Sequence, residues 1–164
     1  MLGAEPFLSL WAVLSIENSA HGTPVLTLKS QRSFGTLPDL DSTRVPMEIK
    51  TELGSALEKV EDGSHRQGAV EVIDRCRDAL SVVFGHACGE QSLDLAQAIN
   101  KSQGARKHAE PRDWAGQIVA RLHSRAKPNE QAKREIRSVT EDDAYLALSC
   151  LGVVLREFGW AKSE

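Results

Sequence analysis

Residues 120–134 read ARLHSRAKPNEQAKR. Five cations, Arg121, Arg125, Lys127, Lys133 and Arg134, stand there with His123 and Asn129. An arginine presents a planar fork of N–H donors that matches the oxygens of a phosphate. A histidine changes charge near neutral pH and can carry a proton. The stretch is therefore the candidate for handling an anion such as RNA. Arg121, Arg125, Lys127, Asn129, Lys133 and Arg134 form the anion-binding set, and Arg121 and His123 are the catalytic candidates. Arg121 and Arg125 are four residues apart and share a helix face, whereas His123 points elsewhere on an ideal helix. The stretch holds no aromatic residue, so base stacking is not supplied locally. The plain alternative is that cations near a helix C-terminus meet its last carbonyls and its dipole.

Other chemistry finds little footing. The chain has no GxxxxGK or GxGxxG phosphate loop and no GxSxG elbow. HAE at 108–110 is not followed by the PCxxC that a zinc deaminase needs. HACGE at 86–90 brings His86 and Cys88 together without a third ligand. No metal or cofactor is expected.

The basic stretch sits in an unevenly charged chain. The 164 residues carry 20 Lys/Arg and 23 Asp/Glu, a net charge of −3, so bulk charge does not make the protein a polyanion binder. From Lys101 to Arg137 ten Lys/Arg face four Asp/Glu, which is +6; the remainder is −9. A block of that kind is either a basic face for a phosphate or acidic partner, or a set of solvated helix surfaces. Cys76, Cys88 and Cys150 are an odd, widely spaced set, which predicts reduced thiols rather than a disulfide framework. The opening MLGAEPFLSLWAVLSI lacks a basic start, carries Glu5 and is too short to span a bilayer, so a cytoplasmic protein is expected.

The elements that must position these residues fall in two parts. Residues 1–45 read as a β-like extension and linker. FLSLWAVLSI and VLTLK are rich in β-formers around turn residues, although the first run also fits a short helix. SQRSFGTLPDLDSTRVP reads as irregular. Residues 46–164 turn helical. Ile49, Leu53, Leu57 and Val60 form one stripe between Pro46 and Gly63. Val72, Ile73, Cys76, Ala79, Leu80 and Val83 form another, ended by Gly85 or Gly89. SLDLAQAINK is a short helix with Ser92 as its N-cap. Pro111 opens the basic helix, with Trp114, Ile118, Val119 and Leu122 as its apolar stripe, and Pro128 stops it. Trp114 and Trp160 are expected to fill the core and its edge. Thr140 and Asp143 form a capping box before a last helix carrying Leu148, Leu151, Leu155 and Phe158. The prediction is a mainly α protein, an antiparallel bundle of four to five helices with a small N-terminal β-hairpin or extension.

GAVEVIDRCRDALSVVFG, the following DLAQAI, the basic helix and the final TEDDAYLAL resemble the core of HEPN-like domains, including the C-terminal domains of abortive-infection proteins. The resemblance covers residues 47–160. It implies an all-α bundle, frequently a homodimer, in a bacterial defence or toxin–antitoxin setting. It also implies a metal-independent ribonuclease motif, Arg-x4–6-His, in which the arginine binds phosphate and the histidine moves protons. No arginine of this chain has a histidine at that spacing, and where the motif helix would continue stands RAKPN with Asn129, which has no acid–base chemistry.

The leading expectation is thus a non-catalytic HEPN-like module that binds a protein partner or RNA. The first alternative is a ribonuclease assembling Arg121, His123 and Arg125 across a dimer. The second is a purely structural interaction domain whose β-like N-terminus adds a strand to a partner sheet.

Overall fold

The structure, a computed structural model, describes residues 10–18, 24–31, 37–66, 68–104, 106, 108–127, 129 and 137–162. The chain divides into two compact units, Met1–Ser33 and Phe34–Glu164.

In the first unit the alternation of β-formers gives two antiparallel strands, β1 (Leu10–Asn18) and β2 (Pro24–Gln31), so the described part of the first apolar run is a strand and not a helix. The register slips between Val13 and Ser15, an irregularity of the kind that bends and twists a strand. Ile16 faces Leu26 across the pair, and both side chains are exposed.

The second unit is a helical bundle. Its elements are α1 (Met47–Arg66), α2 (Ala69–Cys88), α3 (Leu95–Gly104), α4 (Pro111–Ala126) and α5 (Glu141–Glu157). α2 is the central helix and packs against the other four, because its buried positions spread over a broad arc from Val72 to Gly85. Gly89 ends it in the left-handed region at φ 73°, where a Cβ would be strained. α1 runs on through Gly63, which is buried, to Arg66. α3 is capped by Asp94 and not by Ser92: the Asp94 carboxylate accepts the Gln97 N–H at 2.9 Å, three residues along as a cap requires.

The stretch from Leu37 to Val45 is irregular but joined to the bundle. Leu40 bridges to Ala161, Asp41 N–H donates to the Trp160 carbonyl at 2.7 Å, and Lys162 N–H donates to that of Asp39 at 2.8 Å. Leu37 and Leu40 lie against the core, and Val45 is inside it. Gly159, at φ 72°, turns the chain so that buried Trp160 stacks at 4.9 Å on Phe158, whose ring meets the edge of Phe84. No described helix is long and apolar enough to cross a membrane.

Candidate functional site

The basic helix α4 is built from its start. Pro111 sits in the first turn, and the Glu110 N–H donates to the Asp113 carboxylate at 2.8 Å, half of a capping box. Asp113 is fully buried, and Arg106 meets its other oxygen at 2.7 Å. Arg106 and Arg112 share the Glu110 carboxylate, at 2.6 and 2.7 Å, and the Arg112 guanidinium lies 4.5 Å over the Phe158 ring.

The face that α4 turns inward is not the one its large residues mark. Ala115, Gly116, Val119 and Leu122 are buried, while Trp114 is 56% exposed and Ile118 38%. Only Val119 and Leu122 of the expected stripe therefore face the core. Gly116 explains the choice. A Cβ there would lie 2.8 Å from both Phe84 and Ile99, so the small side of the helix is the one that can approach α2 and α3. Trp114 is thus corrected from a core position to a surface one, whereas Trp160 is buried as expected.

At 100° per residue, Trp114, Ile118 and Arg121 fall within about 60° of one another on the outer side. Arg121 is exposed, with no ion-pair partner among the described residues. Arg125 continues the same stripe, but its Nη2 meets Asp143 at 2.7 Å. The start of α5 therefore lies beside the end of α4. Arg137 adds a two-pronged contact to Asp143, at 2.8 and 3.0 Å, and the Thr140 N–H donates to it at 2.9 Å. Burial alone would raise the Asp143 carboxyl. The hydrogen bonds from Arg137, Thr140 and Arg125 outweigh it and hold the carboxyl at about 2.

His123 emerges about 200° round the helix from Arg121, because α4 stays helical through Ala126. Its Nδ1 lies 2.7 Å from Asp74 of α2. A carboxylate in that place accepts the Nδ1–H, orients the imidazole and leaves Nε2 with the lone pair. Within one copy of the chain, however, the histidine and Arg121 are on opposite sides and cannot address one phosphate. Lys127 is exposed and caps the helix with no ion-pair partner among the described residues; Asn129 is exposed beyond it. Lys133 and Arg134 lie outside the described residues.

Among the described residues, most cations of the basic block are thus neutralised from within. Seven of its cations are described, and five of them meet carboxylates: Lys101 with Glu90, Arg106 with Glu110 and Asp113, Arg112 with Glu110, and Arg125 and Arg137 with Asp143. Of the site residues, sequence reasoning missed Asp74 as the partner of His123, and it placed Trp114 in the core. The signal for the second was present in the small pair Ala115–Gly116, which marks a close helix contact.

Elsewhere an open groove of about 620 Å³ runs between α1 and α2, with Glu48, Glu52 and Asp78 of one sign and Lys59 and Arg75 of the other. Cys76, Cys88 and Cys150 are free, and burial pushes the Cys76 thiol up to about 12, which removes it as a nucleophile at neutral pH. Among the described residues no three His, Cys, Asp or Glu side chains are grouped to hold a metal ion. Comparison with protein-family models, curated proteins and solved structures finds no match for this chain.

Proposed function

We propose that this chain is a non-catalytic HEPN-like helical module, in a bacterial defence setting, that acts by binding a protein through the outer face of α4. The observation that carries this reading is Trp114, 56% exposed on a helix whose inward face is already complete. Tryptophan and arginine are the side chains that most often anchor protein interfaces, and Arg121 stands two turns from Trp114 on the same stripe. The neutralised cations of the block support a protein over a nucleic acid, because a phosphate backbone needs several unpaired cations in a row. The separation of Arg121 from His123 supports binding over cleavage.

The test is anisotropy of a labelled single-stranded RNA titrated with the full chain at low and moderate salt. No binding is expected at either. Binding that weakens steeply with salt, and again in Arg121→Ala/Lys127→Ala, would transfer the face to RNA.

A further inference from the structure

We propose that the open groove between α1 and α2 binds an extended peptide carrying a cationic and an anionic side chain four residues apart, the cation set toward Glu48 and Glu52 and the anion toward Lys59 and Arg75. No residue of α4 lines this groove, which is therefore separate from the outer face of that helix.

The groove follows from the sequence of the two helices. Two residues separate α1 from α2, so the helices pack antiparallel against each other. Midway along the seam their side chains are small, with Ser55 and Ala56 on α1 and Ser81 on α2. The gap that these leave has a volume of about 620 Å³, within the range of sites that hold small ligands. Its charges are sorted by sign along its length. Glu48 and Glu52, one turn apart near the start of α1, make one end acidic. Lys59, toward the end of α1, falls beside Arg75, near the start of α2, and makes the other end basic.

The fold itself uses only some of these charges. Arg75 meets Glu71 at 2.6 Å, and Asp78, between the two ends, meets Arg77 at 2.7 Å. Glu48, Glu52 and Lys59 have no ion-pair partner among the described residues. Two carboxylates one turn apart repel each other, and the helix dipole relieves Glu48 in the first turn more than Glu52 in the second. A ligand cation would relieve both. The pattern also sorts ligands by class. A polyanion is turned away by the acidic end, a polyamine by the basic one, and the two charges of a free amino acid lie too close together to reach both. From the midpoint of Glu48 and Glu52 to Lys59 the helix rises about 13 Å. Residues four apart in an extended chain lie on one side and about 13 Å apart, which matches that span. The peptide backbone between them brings donors and acceptors for the hydroxyls in the middle of the groove. Ser81 already donates to the Arg77 carbonyl at 2.9 Å, so its oxygen is left to accept from a peptide N–H.

The experiment is an amide NMR titration of the full chain with three acetylated and amidated pentapeptides: Lys-Ala-Gly-Ala-Glu, and the single-sign controls Lys-Ala-Gly-Ala-Lys and Glu-Ala-Gly-Ala-Glu. Because the groove is open to water, a dissociation constant of about 1 mM or lower is expected for the mixed peptide. It should shift the amides of residues 48–59 and 75–82 and bind at least about fivefold more tightly than either control. Glu52→Ala and Lys59→Ala, both at exposed positions, should each weaken it by about three- to fivefold and leave the rest of the spectrum in place. No shift along the groove up to about 5 mM peptide overturns the site. So do three peptides that bind alike, or binding indifferent to both substitutions. A preference for the all-lysine control, unchanged in Lys59→Ala, would reduce the groove to its acidic end and overturn the two-ended ligand.

Discussion

Arg121 and Arg125 stand one turn apart on α4, and a phosphate-binding rule would choose both. The structure gives them opposite roles. Arg125 reaches the buried Asp143 carboxylate at the start of α5, while Arg121 projects into solvent. Nothing within the helix distinguishes them. The difference comes from what lies opposite: Asp143 is 18 residues along the chain and is brought to α4 only when the two helices pack. A cation near a helix end is thus assigned to fold or to surface by its neighbour in space, and the same holds for Trp114 and Gly116 on the two sides of α4.

The strongest way to break this contrast is to remove the carboxylate. Asp143→Ala takes from Arg125 and Arg137 the carboxylate that they share at a partly buried site. Deleting one member of a buried ion pair costs about 3–5 kcal/mol, and the 23% and 57% exposure of the two arginines puts this case at or below the lower end, about 2–3 kcal/mol. Urea denaturation should show a loss of that size. A loss below about 1 kcal/mol would mean that the contacts to Asp143 are worth no more than exposed surface pairs.

Acid should reach the same node more gently. The Asp143 carboxyl lies at about 2 in the folded chain, below its ordinary 3.8, because three partners donate to its charged form. A depressed carboxyl contributes stability that is fully present above its unfolded pKa and is lost as pH falls through its folded one. The window is therefore about pH 4 down to about pH 2, and the shift corresponds to about 2 kcal/mol. The check is the difference in stability between the native chain and Asp143→Asn, followed across that window. The two curves should converge as pH falls. Parallel curves would show that the node does not titrate with folding.

These two effects fall on a feature that was legible in the sequence, since Thr140 and Asp143 have the spacing of a capping box. So were the broad face of α2, its stop at either Gly85 or Gly89, of which the fold uses Gly89, and the start at Pro111, because each is set by residues within a few turns of one another. The ligands of Asp143 were not legible. Arg125 comes from another helix, and a capping acid looks the same whether its second oxygen meets water or a guanidinium. His123 was correctly turned away from Arg121 by helical geometry, but its partner Asp74 is 49 residues away and carries no local mark. Residue size is a poor guide to the inward face of α4. At a close helix crossing the smallest residues face in, and the largest can be left outside.

Gly116 tests that last point. Gly116→Ala sets a methyl 2.8 Å from Phe84 and Ile99, both fully buried and unable to yield freely. Overpacking of this kind costs about 1–3 kcal/mol, offset in part by the better helix propensity of alanine. A net loss of about 1–2 kcal/mol in thermal or urea unfolding is expected. A stabilised variant would mean that α4 can move outward without loss, and the distinction between its two faces would weaken.

The smallest expected effect is on the outer face, and its smallness is what separates Arg121 from Arg125. Arg121→Ala removes a charge with no ion-pair partner among the described residues from a position already in water. Alanine favours the helix slightly, so the stability of the monomer should change by no more than about 0.5 kcal/mol. The measurement belongs at low micromolar concentration, where any association adds least to apparent stability. Arg125→Ala under the same conditions should lose more, because Asp143 then keeps only Arg137 and the Thr140 donors. Equal losses in the two variants would place Arg121 in a fold contact of its own, and the contrast between the two arginines would be gone.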